Sequence, residues 1–176
     1  MHWKSFARIG KPIVKEFHSE YFERHALALD TALGEGGEQA FEAAVSVAAS
    51  LVYTLDTQEC LLDMLFVGEQ AHVYTAGRGM LRSEHLLEVL AGLHHSDGDS
   101  PARLEAAVLA RGGGLASCIL VLAGWDEGRL KLLRALRQAG LQVLALAVVA
   151  DDTVIDPALG VRRLRIGSVQ QDLLAP

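Results

Sequence analysis

The sequence predicts an α/β domain built on a mostly parallel, doubly wound sheet with one antiparallel edge strand and helices on both faces. Three observations carry this. Short apolar segments alternate with segments of helical periodicity, the pattern of strands joined by helical crossovers. Two of those segments, 115–122 (LASCILVL) and 143–149 (VLALAVV), are almost wholly apolar, as strands buried on both faces are. Two strand-like runs, 61–67 (LLDMLFV) and 71–75 (AHVYT), are separated only by Gly68-Glu69-Gln70, so one pair in the sheet runs antiparallel.

Taken in order, residues 1–17 differ from the rest. Lys4, Arg8, Lys11 and Lys15 are basic, Gly10-Lys11-Pro12 reads as a turn, and Ile13-Val14 beside Phe17 reads as a short strand. The run 26–30 (ALALD) is a strand ending in an acid, and a loop with Gly34, Gly36 and Gly37 follows it. Residues 38–55 form a helix whose polar Glu42, Ser46 and Ser50 recur at i, i+4 and i+8, one narrow stripe on an otherwise apolar surface. After the hairpin, 82–93 is a helix with Leu86, Leu87, Leu90 and Leu93 on one face. The segment 94–100 (HHSDGDS) is a polar loop. Ser100 is placed as N-cap and Pro101 in the first turn of a helix reaching about Ala110, which Gly112-Gly113-Gly114 breaks. Strand 115–122 leads to a helix over 126–139 with Leu130, Leu133 and Leu136 inward, ended by Gly140. Strand 143–149, a last strand at 161–166 and a short helix at 169–174 complete the chain.

Composition agrees. The chain has 176 residues, 51% apolar and 22% charged, with mean hydropathy +0.24. That length suits one domain, long enough to bury about two-thirds of its unfolded surface. No apolar run reaches the roughly 18 residues a membrane span needs. Acidic residues outnumber basic ones by 22 to 16, a net charge of −6. That excludes a general nucleic-acid binder, which needs a basic face for phosphates. Cys60 and Cys118 sit inside apolar runs without a CxxC partner and read as free thiols of a reducing compartment, the alternative being a single disulfide. The start, Met1-His2-Trp3-Lys4, lacks the apolar stretch of a signal peptide.

In an open parallel sheet the ligand end lies beyond the carboxyl ends of the strands, where the strand order switches. Three loops should meet there: 30–37, 94–100 and 123–126. The Gly34-Glu35-Gly36-Gly37 loop follows a strand, opens a helix and has Asp56 about 20 residues on, the setting of a dinucleotide fingerprint. The spacing fails, because Gln39 stands where the last glycine belongs, and Asp30, Glu35 and Glu38 would repel a pyrophosphate. His94-His95 with Asp97 and Asp99 lacks the spacing of a metal cluster and reads as a solvated loop. No G-x-S-x-G elbow and no activated cysteine offers a nucleophile, so no catalytic residue is assigned.

Two stretches carry a resemblance. Trp3-Lys4-Ser5-Phe6-Ala7-Arg8 and Gly10-Lys11-Pro12-Ile13-Val14-Lys15-Glu16-Phe17 resemble the W-K-x-x-A-R…G-x-x-x-V-K-E-F segment of the bacterial domain-of-unknown-function fifty-eight family. In that family the segment runs into a von Willebrand factor A-like domain, a Rossmann-like arrangement. The resemblance divides the chain into 1–23, the end of an upstream β-rich segment, and 24–176, the von Willebrand factor A-like domain. It implies a membrane-anchored parent protein on the cytoplasmic face of the membrane, attached only through a segment upstream of this one; the alternative is a cytoplasmic protein. It also implies a MoxR-type AAA+ ATPase as partner.

Many domains of this fold hold Mg²⁺ through a D-x-S-x-S loop, a threonine in a second loop and an aspartate after the fourth strand. Here Asp30-Thr31-Ala32-Leu33-Gly34 keeps the aspartate and loses both serines, Ser100 stands about where the threonine would be, and Asp126 is displaced by a few positions. The resemblance thus implies a degenerate site that needs no cofactor and binds Mg²⁺ weakly at most. The expected function is a non-enzymatic protein–protein interaction module in envelope-linked assembly. Its binding rim is Asp30, Thr31, Ser100, Trp125 and Asp126. Trp125 is either an exposed anchor or packs under the next helix. The alternative function is a nucleotide- or small-ligand-binding α/β enzyme that uses the Gly34–Gly37 loop.

Overall fold

A computed structural model of the chain describes residues 23–55, 60–77, 82–96 and 100–174. The expected strand near Ile13, almost all of the 1–23 segment, and Asp56, Asp97 and Asp99 lie outside those residues. The elements are β1 (Arg24–Leu29), α1 (Gly37–Thr54), β2 (Leu61–Val67), β3 (Ala71–Ala76), α2 (Ser83–Ala91), α3 (Ser100–Leu109), β4 (Ser117–Leu122), α4 (Glu127–Gln138), β5 (Gln142–Val149), β6 (Val161–Arg165) and α5 (Val169–Leu174).

The six strands line up in the order β3-β2-β1-β4-β5-β6. All neighbours are parallel except β2 and β3, the expected hairpin at one edge. The chain builds outward from β1 through β2 to β3, then returns to add β4, β5 and β6 on the other side. The switch point therefore falls between β1 and β4, where Leu27 stands opposite Ile119.

Alternation along the strands feeds two cores. Leu27, Leu29, Met64 and Phe66 face α1 and α2, meeting Phe41, Val47, Leu86 and Leu90. Ala26, Ala28, Leu65 and Leu120 face α3 and α4, meeting Leu104, Val108, Leu132, Leu133 and Leu136. Each fully buried leucine contributes on the order of 2 kcal/mol by removal from water. On α1, Glu42, Ser46 and Ser50 form the expected solvent stripe, with the Ser46 and Ser50 hydroxyls bonded back to the carbonyls of Glu42 and Ser46. On α4 the inward stripe differs from expectation. Leu130 is only half-buried, and the buried positions are Arg129, Leu132, Leu133 and Leu136. The stripe runs at i, i+3, i+4 and i+7 from Arg129, so the helix is turned to point that arginine inward.

Charge fixes the periphery. Buried Asp63 of β2 accepts from Arg111 at 2.8 Å and from the Thr75 hydroxyl at 2.6 Å, with Arg24 at 3.6 Å. At the opposite edge, Arg165 of β6 binds Asp172 of α5 at 2.7 Å and holds that carboxyl down at about 2. Burial pushes the Cys118 thiol up to about 12, so it behaves as a core residue. Among the described residues no helix is long and apolar enough to cross a membrane.

Candidate functional site

At the carboxyl ends of the strands the expected loops meet. The backbone of Asp30 continues the β1–β4 ladder, its N–H donating to the Val121 carbonyl at 2.9 Å. Thr31 is buried, and its hydroxyl donates to the Val67 carbonyl at the end of β2. The Ser96 and Ser100 hydroxyls lie 3.0 and 3.3 Å from the same oxygen, and the Ser96 N–H donates to the Thr31 carbonyl. Three buried hydroxyls thereby tie the loop after β1 to the segment leading into α3. Ser100 is the first residue of α3, and its hydroxyl looks across the site toward Thr31.

The loop after β4 closes the other side. A Cβ placed on Gly34 would stand 2.7 Å from the Ala123 carbonyl oxygen and 3.1 Å from the Gly124 Cα. Only glycine permits that approach, and Gly124 itself has φ +135. Asp126 caps α4, accepting from the Arg129 N–H at 2.9 Å.

The centre of the site is occupied by Arg129, a residue the sequence reading passed over. Its side chain is 2% exposed. Nε donates to Asp30 at 2.7 Å, and Nη1 donates to Asp126. Nη2 donates to the carbonyls of Ala32 at 2.8 Å and Ala123 at 3.3 Å. Asp30 is fully buried, and its second oxygen accepts from the Ala32 N–H at 3.1 Å. Burial pushes the Asp30 carboxyl up, while the charge of Arg129 and the N–H groups of Ala32 and Ala123 pull it down.

These residues do not fit a divalent ion. Asp30, Asp126 and the two carbonyls are spent on the guanidinium, and the Thr31 hydroxyl is spent on Val67. A metal at the same oxygens would face a buried positive charge at contact distance. The same packing seats Gly34 against Ala123 and Gly124, while Gly37 at the start of α1 faces open space.

The structure brings Asp30, Thr31, Ser100 and Asp126 together. Trp125 stands beside them, half-buried against the core under α4, with part of its surface still outward. Leu33, 41% exposed, and the exposed Glu35 and Glu127 complete the rim. The histidines fall elsewhere. His94 is exposed, His95 packs edge-on to Phe41, and His72 stacks on Phe66. Among the described residues no group of three or more His, Cys, Asp or Glu could hold a metal.

No family model and no curated sequence matches the chain. Solved structures do. The manganese-loaded TRAP protein of Plasmodium vivax shares 13% identity at a TM-score of 0.58, over 80% of this chain and 61% of that one. Proximal thread matrix protein 1 of the mussel byssus shares 9% at 0.56, over 86% of this chain and 43% of that one. A von Willebrand factor type A protein from Catenulispora acidiphila shares 12% at 0.50, over 86% of this chain and 41% of that one. The fold is von Willebrand factor A-like. The chain spans less than two thirds of each of these three proteins.

Proposed function

We propose that this domain is a non-enzymatic protein-docking module whose interface is the rim at the carboxyl ends of β1 and β4. The observation that carries the reading is the Arg129 cage. It fills the space between the loops after β1 and β4 from within and presents a shelf of Leu33, Trp125 and Asp126. A half-buried tryptophan at a strand exit is a natural anchor for a partner. The partner we infer is a MoxR-type AAA+ ATPase acting in envelope-linked assembly. The parent is then a protein of the domain-of-unknown-function fifty-eight type, with residues 1–23 closing an upstream segment and the domain on the cytoplasmic face of the membrane. The support is the motif at Trp3–Arg8 together with the von Willebrand factor A-like fold. In TRAP the same fold is found loaded with manganese. Here the rim's outward charges are carboxylates, which suits a partner bringing a basic face.

Co-purification tests the reading. The chain should capture a MoxR-type ATPase, with EDTA making no difference. Trp125→Ala should weaken capture about tenfold or more, the loss expected of an interface anchor. A melting curve unchanged within a few degrees separates this from unfolding. Capture that is unaffected by Trp125→Ala moves the interface off this rim, and no capture of that ATPase removes it as the partner.

A further inference from the structure

The four oxygens around the Arg129 guanidinium are a ligand set for a hard cation. Two are carboxylate oxygens, from Asp30 and Asp126, and two are carbonyl oxygens, from Ala32 and Ala123. Hard divalent ions take this mixture of donors. The four come from the loops after β1 and β4, on either side of the switch point. Arg129 also shares the inward stripe of α4 with Leu132, Leu133 and Leu136, so apolar side chains at both 129 and 30 would continue the core. Burying a charged pair where an apolar side chain would serve is seldom a gain in stability. The position is thus organised around a positive charge.

We propose that the Arg129 guanidinium is a built-in cation: it fills a cation cage at the carboxyl end of the sheet and holds the two carboxylate-bearing loops together with no metal. Asp126 serves as the internal carboxylate on its outer side. With the side chain removed, the cage accepts a free cation. The proposal concerns the isolated chain and is independent of which protein docks on the rim.

The test is thermal melting of the whole chain, with MnCl₂ and guanidinium chloride at about 10 mM as separate probes, far below denaturing concentration. Arg129→Ala should melt well below wild type and regain about 5 °C in either salt, the shift expected when a ligand is present at many times its dissociation constant. Wild type should move by less than about 1 °C in the same salts, its cage being full. Adding Asp30→Asn to Arg129→Ala should abolish the Mn²⁺ response. A folded Arg129→Ala protein indifferent to both cations overturns the proposal, as does a wild type that Mn²⁺ stabilises to the same extent. If Arg129→Ala is unfolded alone, refolding on addition of either cation supports the proposal, and failure to refold in both overturns it.

Discussion

Arg129→Met is expected to destabilise the domain by about 3–5 kcal/mol in urea denaturation, the range seen when one partner of a buried ion pair is removed. The methionine roughly replaces the stem, so the loss is not a cavity effect. It arises because Asp30, with no exposed surface, keeps a carboxylate and loses the cation 2.7 Å away. Asp30→Asn in the same chain should recover at least half of the deficit, since the amide carries no charge and can still accept from Ala32. The deficit should also depend on pH. Without Arg129, burial is opposed only by the N–H groups of Ala32 and Ala123 and holds the Asp30 carboxyl further above the ordinary 3.8. An acid raised in the folded state stabilises the fold fully below its unfolded value, and that contribution is lost as pH rises through the folded value. The Arg129→Met deficit should therefore be largest near neutrality and shrink as the pH is lowered toward about 4. A deficit that is flat with pH would place the cost elsewhere than on Asp30.

Gly34→Ser should cost about 1–3 kcal/mol, the range for forcing atoms into a closed packing. Its Cβ would fall 2.7 Å from a backbone oxygen, 3.1 Å from the Cα of Gly124 and 3.2 Å from Arg129 Nη1. The first two are backbone atoms and the third is a guanidinium nitrogen held by Asp126, so the loops after β1 and β4 must part. The substitution restores one serine of the D-x-S-x-S pattern, yet Mn²⁺ should not offset its cost while Arg129 remains in the cage. Urea denaturation with and without Mn²⁺ reads both parts. A Gly34→Ser protein as stable as wild type would mean that the two loops do not meet as described.

Most of the fold was legible because the signals are local. The hairpin at Leu61–Ala76 follows from two strand-like runs with three residues between them, and β4 and β5 from apolar runs too short for buried helices. The solvent stripe of α1 follows from the spacing of Glu42, Ser46 and Ser50. The site was legible only in part. Asp30 at the end of an apolar strand and Asp126 ahead of a helix are visible, and the strand order brings them to one place. Arg129 was not, because its partner lies 99 residues away and no local pattern names the pair. One signal was present: Arg129 falls on the leucine stripe of α4, and a charge on an apolar stripe needs a buried counter-charge. Reading Leu130 as inward hid it. The Gly34–Gly37 loop shows in the sequence only as glycines between a strand and a helix. At Gly34 the requirement is close backbone approach, which depends on a loop some 90 residues further on.

Calorimetric titration of the wild-type chain with Mn²⁺ and Mg²⁺ bears on all of this at once. With the guanidinium of Arg129 in the cage, no saturable heat of binding is expected at concentrations up to the millimolar range. A one-to-one site of micromolar affinity, lost on Asp30→Ala, would show that the oxygens around Arg129 are available to a metal, and the account of a built-in cation would fall.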